Sequence, residues 1–168
     1  MMRVMGAALL ALGGGYMGFR ASEELSHRVA VLDDLTASLA LLEQNLSLGG
    51  YGLGECFRTL ANRGGGEVRN FFSSCAEGMG ALEKTPFPAL WSGLCGELPI
   101  GAEGQHILCR LGEVLGRCEA ERQVRALRSA GEALSRLSGE LREQYRCQGK
   151  VFQAVGVSAG AFLAILLL

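Results

Sequence analysis

The stretch EAERQVRALRSAGEALSRLSGELREQYRCQGK, from Glu119 to Lys150, runs directly into VFQAVGVSAGAFLAILLL, from Val151 to Leu168, and these residues decide the fold. In the first part, apolar and small residues recur at alternating steps of three and four, which places them on one stripe of an α-helix. The stripe consists of Val124, Leu127, Gly131, Leu134, Ser138, Leu141 and Tyr145, and Leu137 widens it. The second part carries no charge, and at about 1.5 Å per residue it spans roughly 27 Å, close to the apolar thickness of a bilayer. We therefore predict a long amphipathic helix that continues into a membrane anchor at residues 150–168.

A second apolar stretch stands at the other end of the chain, from Val4 to Phe19, between Arg3 and Arg20. A secretory signal peptide is the alternative interpretation. The residues before Ala21 nevertheless lack the small-residue pattern that signal peptidase needs. The sequence favours a retained anchor at residues 1–20, whose flanking arginines reach toward the membrane interfaces to compensate for its short length.

Between the anchors, residues 21–149 carry the pattern of a soluble all-α bundle, and no stretch shows the period of two that indicates a strand. Ser22 followed by two glutamates suits a helix start. The following leucine-rich stripe ends before Gly49, and the long helix that ends the chain is the sixth helix. The four helices between them are predicted around Leu53–Leu60, Val68–Leu82, Leu90–Leu98 and Gln105–Arg117. The fold class is therefore a bundle of about six helices flanked by N- and C-terminal transmembrane helices.

Charge and cysteine content exclude several classes of function. The formal net charge is −1, so the general electrostatic footprint of a nucleic-acid-binding protein is absent. Residues 21–109 contain 5 basic and 11 acidic side chains, whereas residues 110–150 contain 9 and 6. The six cysteines stand singly, without a C-x-x-C pair, which argues against a zinc or iron–sulfur site. A disulfide framework is possible in number, but cysteines on apolar helical faces favour reduced, buried thiols.

No group of residues has the pattern of an active site. His27 and His106 lie far apart in sequence on helical segments, and the adjacent pair Asp33 and Asp34 points to different sides of a helix. The glycine triplet that starts at Gly64 follows no strand and precedes no Lys-Ser/Thr, so a loop is favoured over a phosphate cradle. We predict no catalytic residue, no cofactor, no metal and no small-molecule substrate.

Small residues recur every four positions within both predicted anchors. Such ladders let helix backbones approach closely, which drives helix association in lipid. The alternative is that glycine and alanine are simply common in membrane helices. The candidate helix-packing residues are Ala7, Ala11 and Gly15 in the first anchor and Gly156, Gly160 and Ala164 in the second.

The order and spacing of several features resemble stage III sporulation protein AB, a family of endospore-forming bacteria, over essentially the whole chain. These features are the short first anchor, the stretch LALLE from Leu39 to Glu43 with Leu46, Leu60-Ala61, the pair Phe71-Phe72, Trp91, the stretch LGEVLG from Leu111 to Gly116, Gln123 and the terminal hydrophobic helix. The chain departs from the family pattern in its glycine-rich loops and its cysteines.

The resemblance implies a soluble domain similar to the cytoplasmic domain of the type II secretion and type IV pilus platform protein. It implies a non-enzymatic membrane component of the channel complex between mother cell and forespore, in the mother-cell membrane that faces the forespore. The expected partners are a secretion-type cytosolic ATPase and other sporulation channel proteins, and homo-oligomers stay open. A generic receptor or adaptor subunit with two anchors and a helical cytosolic domain is the alternative.

The charges beside the anchors predict the orientation. Five basic residues flank the anchors on the side of the central domain, whereas only Arg3 lies on the other side. By the positive-inside rule the domain is cytosolic and both termini lie outside. The five residues are Arg20, Arg28, Arg142, Arg146 and Lys150.

Overall fold

A computed structural model describes residues 2–49, 52–81 and 86–167, and within them the side chains of residues 23–49, 52–80 and 86–146. These residues form six α-helices and a short 3-10 helix, and the described ranges contain no strand. The helices are α1 (Met2–Ser47), α2 (Leu53–Arg63), α3 (Gly66–Gly78), the 3-10 helix (Met79–Ala81), α4 (Phe87–Glu97), α5 (Gly101–Val114) and α6 (Ala120–Leu167). The prediction of an all-helical chain is confirmed.

The chain divides into two compact units. The terminal unit consists of Met1–His27 with Glu140–Leu168, and the bundle unit consists of Arg28–Gly139. Within the described residues, no helix has a stretch long and apolar enough to cross a membrane. The two anchors at residues 1–20 and 150–168 stay predictions.

Several helix boundaries differ from those predicted: α4 begins at Phe87 rather than Leu90, and α5 begins at Gly101 rather than Gln105. The helix start at Ser22 is wrong, since α1 is continuous from Met2 to Ser47. Between Phe19 and Ser47 the chain has no glycine or proline, so nothing interrupts the hydrogen-bond ladder, and an interior serine costs only a few tenths of a kcal/mol. Helix α5 ends at Val114 rather than Arg117, because Gly116 adopts the left-handed conformation (φ 76°) that commonly terminates helices.

Within the bundle unit, α1 and α6 lie side by side and run antiparallel. Ser138 Oγ donates a 2.7 Å hydrogen bond to Asp33 Oδ1. Ten residues further along α1, Glu43 accepts two hydrogen bonds from Arg128, at 2.9 Å from Nε and 2.6 Å from Nη2. Residue numbers rise along α1 as they fall along α6, so the two helices keep one register over this length.

The predicted stripe of α6 forms part of the core over most of its length. Leu127 and Leu134 are at most 1% exposed, and Leu137 and Ser138 are also buried. Tyr145 is 41% exposed, so its predicted place in the core is wrong. The bundle unit ends at Gly139, and the periodic pattern therefore continues past the core that the stripe packs against.

An aromatic cluster fills the middle of the bundle. The Phe57 ring lies 5.9 Å from Phe72, 6.0 Å from Phe87 and 5.9 Å from Trp91, measured between centroids. Phe71 packs edge-on against Trp91 at 4.9 Å. Because aromatic pairs at this spacing contribute about 0.5–1.5 kcal/mol beyond burial, the cluster joins α2, α3 and α4 firmly.

The cluster is tied to α5 by Trp91. Its indole Nε1 donates a 2.7 Å hydrogen bond to the carbonyl of Leu108. Gly112 stands one turn further along α5, and a Cβ there would lie 2.6 Å from Trp91 Cγ. A glycine at this position therefore lets the indole lie directly on the helix backbone.

Candidate functional site

The predicted helix-packing residues have helical backbone, in α1 for Ala7, Ala11 and Gly15 and in α6 for Gly156, Gly160 and Ala164. Their side chains lie outside the residues whose side chains the structure describes. Close packing through these ladders stays a prediction.

The titratable residues that the sequence analysis considered do not form a site. His27 and His106 are both exposed, on α1 and α5 respectively. Asp33 is half-buried and accepts its hydrogen bond from Ser138, so this carboxylate helps to hold α6 against α1. Among the described residues, no cluster of three or more His, Cys, Asp or Glu side chains could hold a metal ion.

Buried thiols occupy the inside of the bundle. Cys56, Cys75 and Cys95 are free and buried. Burial raises the pKa of the Cys75 thiol to about 12. Burial also raises the pKa of Cys95, with a further increase from the neighbouring Cys109 thiol. Since the thiolate is the nucleophile and the metal ligand, these protonated side chains are packing residues.

Three grooves on the described surface of the bundle unit differ in charge. The first lies between α1 and α6 and has a volume of about 500 Å³. The salt bridge between Glu43 and Arg128 crosses it, and Glu132 and Arg136 also line it. Charges of both signs face one another here, so the positive and negative charges of this groove neutralise each other. The lining residues are Thr36, Ala40, Glu43, Leu127, Arg128, Gly131, Glu132, Ser135 and Arg136.

The second groove lies between α2 and α3 and measures about 490 Å³. It contains Arg58 and Glu77, again one charge of each sign, and Ser73 Oγ donates a 3.3 Å hydrogen bond to the Glu77 carboxylate. The remaining lining side chains are small or polar. They are Ala61, Asn62 and Ala76, and the groove also borders Gly80.

The third groove lies between α5 and α6 and measures about 240 Å³. Its floor is apolar, with buried Leu111 and Ala130, and its edge carries the exposed side chains of His106 and Arg110. None of the described residues that line it is acidic. On the α6 side every lining residue is alanine or serine, namely Ala126, Ser129, Ala130 and Ala133, and Ile107 and Val114 complete the wall on α5.

These grooves were not predicted from the sequence. One sequence pattern could have indicated the α5–α6 groove: small residues recur at helical spacing beside the leucine stripe, at Ala126, Ser129, Ala130 and Ala133. Their small size marks where α6 lacks the volume to fill the space against a neighbour. The identity of that neighbour depends on how the helices are arranged, and a periodic pattern does not carry that information.

Comparison with known proteins identifies the family of the chain. A model of the family described as stage III sporulation protein AB matches residues 3–168, nearly the whole length. No curated protein and no solved structure matches the chain. The match confirms the resemblance that the sequence motifs indicated. The chain belongs to the stage III sporulation protein AB family.

Proposed function

We propose that this protein is a platform in the mother-cell membrane that links a cytosolic secretion-type ATPase to the membrane proteins of the sporulation channel. The family gives the protein a role in sporulation. The finer assignment to the channel between mother cell and forespore rests on the resemblance of the family's soluble domain to the secretion and pilus platform protein.

The antiparallel pairing of α1 and α6 is the observation that carries the proposal. Asp33 and Ser138 are in contact, and they lie near the first and last residues of the bundle unit. Both connections of this unit therefore leave it at the same end. Two predicted anchors that leave from one end would hold the bundle in one orientation, whereas a single anchor would let it swivel.

The proposed location is the mother-cell membrane, with the bundle in the cytosol. The basic residues beside the predicted anchors support this orientation by the positive-inside rule. The ATPase of the proposal is a cytosolic protein, so a bundle on this side could meet it directly.

The proposed role is non-enzymatic. The family is not a known enzyme family. Among the described residues, Glu43 is held in a salt bridge with Arg128, and the buried cysteines of the interior are packing residues. A platform acts by holding partners in place, which the surface of a helical bundle can do.

Purification of the native complex tests the proposal. We expect the tagged full-length protein, extracted in mild detergent from sporulating cells, to bring down a secretion-type ATPase and other membrane proteins of the channel. A tagged, unrelated protein with two membrane anchors is the control. Recovery of the protein without an ATPase, or with the same partners as the control, would contradict the platform role and favour the generic receptor or adaptor.

A further inference from the structure

We propose that the groove between α5 and α6 is the surface that docks the ATPase, and that it receives an acidic, amphipathic helical segment of that partner. The inference rests on the proposed function and specifies which face of the bundle carries it. The occupant is defined by its chemistry: small apolar side chains toward the groove and carboxylates beside them.

Charge separates this groove from the other two. The α1–α6 groove pairs Arg128 with Glu43, and the α2–α3 groove contains both Arg58 and Glu77. Among the described residues that line the α5–α6 groove, the charged or titratable ones are His106 and Arg110. Among the described residues, Arg110 forms no ion pair. Its positive charge is therefore free for a carboxylate from outside.

The surroundings of the groove add to the positive field. Arg122 precedes Ala126 by one helical turn and is exposed, so it stands beside the groove on the same side of α6. Arg125 precedes Ser129 in the same way, but its guanidinium lies 3.7 Å from the Glu121 carboxylate, so Arg122 supplies the unpaired charge on this side. Of the acidic residues near the groove, Glu121 is paired with Arg125, Glu132 lines the opposite groove and Glu113 does not line this one. A positive surface of this kind steers a negatively charged partner and fixes its register.

The floor suits a helix better than a lipid surface. Leu111 and Ala130 are buried beneath a concave, apolar channel, and the α6 wall has no side chain larger than serine. Small walls let a third helix approach closely and insert its apolar stripe, which is how amphipathic helices bind grooves. A headgroup layer would contact the charged edge and leave the apolar floor uncovered.

Paired variants test the assignment on the full-length protein in nanodiscs of zwitterionic phosphatidylcholine, with the purified cognate ATPase as the probe. Arg110→Glu reverses the charge at the groove, and Ser129→Trp fills it. Arg58→Glu and Ser135→Trp make the same changes at exposed positions in the other two grooves. We expect the first pair to weaken ATPase binding about tenfold or more and the second pair to change it by less than about twofold.

The salt dependence of binding is an independent test. The affinity of the ATPase for the wild-type protein should fall more steeply with ionic strength than its affinity for Arg110→Glu. Circular dichroism melts confirm that each variant is folded, and the two groove variants act by different means, so one suffices if the other unfolds. If the wild type binds the ATPase and both groove variants bind equally well, the docking surface is wrong and the platform role stands. Equal losses in the control pair would also overturn the assignment.

Two further outcomes would each overturn the proposal. If the wild type does not bind the ATPase, the platform role itself fails, and the docking surface fails with it. If Arg110→Glu lowers binding to vesicles of anionic phosphatidylglycerol but leaves ATPase affinity unchanged, a lipid surface occupies the groove and the proposal is overturned.

Discussion

Replacing Gly112 by alanine should destabilise the bundle, although alanine is the better helix former. The added Cβ would lie 2.6 Å from Trp91 Cγ and 2.9 Å from Trp91 Nε1, closer than real Cβ atoms approach a neighbour. The indole cannot move away, because it is 0% exposed and packed against Phe57, Phe71 and Phe87. Any shift would also stretch its 2.7 Å hydrogen bond to Leu108.

Three contributions set the loss of folding free energy in Gly112→Ala. Overpacking a filled core costs about 1–3 kcal/mol, and loss of the indole hydrogen bond costs about 1 kcal/mol more. The higher helix propensity of alanine returns about 1 kcal/mol. The net destabilisation is about 1–3 kcal/mol, which corresponds to a fall in Tm of roughly 3–10 °C for a chain of this size.

The matched control is Gly93→Ala in α4. Gly93 is exposed, and a Cβ there would meet nothing within 4 Å, so only the propensity gain of up to about 1 kcal/mol applies. Thermal melts of the full-length proteins in detergent, followed by circular dichroism, should place the two variants on opposite sides of the wild type. A Gly112→Ala protein that melts at or above the wild-type Tm would refute the packing of Trp91 on α5.

The other predictions concern the core, the thiols and the anchors. Leu134→Asp buries an unpaired charge at a 0% exposed position and should cost more than about 4 kcal/mol, whereas Ser135→Asp at the neighbouring exposed position should change Tm little. Folding raises the pKa of Cys75 from 9.0 to about 12, so the folded state holds this proton more tightly. The stabilisation is complete below about pH 9 and is lost as the pH rises toward 12, and Cys75→Ala should show a shallower fall of Tm over that range. Changing Gly156 and Gly160 together to leucine should preserve protein level and membrane insertion but abolish assembly of the complex and spore formation, as detergent pull-down and spore counts would measure. Wild-type spore yield from that double variant would mean that the ladder reflects composition alone.

Local patterns predicted the helical elements well. The stripe through Leu127 and Leu134 predicts a helix that buries those residues, because burial on one face imposes a period of 3.6 on the sequence. The glycine triplet at Gly64–Gly66 likewise falls at the turn between α2 and α3, as predicted. The helix start at Ser22 was not correctly predicted, because a capping residue fits a helix interior at little cost when the neighbouring residues favour the helix.

Contacts between helices could not be predicted from local sequence patterns. Gly112 has no visible role in the sequence until Trp91, some twenty residues earlier, is placed upon it. The unbalanced charge of Arg110 is equally a property of the assembled surface, since it depends on which acidic residues α6 brings near. The sequence therefore predicted the helices and the buried stripes but not the grooves between them.

Recruitment of the ATPase to the membrane tests the central claim most directly. A fluorescent fusion of the ATPase would be followed in sporulating cells that contain or lack this protein. The platform role predicts that the fusion collects at the mother-cell membrane facing the forespore in wild-type cells, and that it spreads through the cytosol when the gene is deleted. Restoring the wild-type gene should restore the membrane signal. An ATPase that stays at that membrane in the deletion strain would contradict the account.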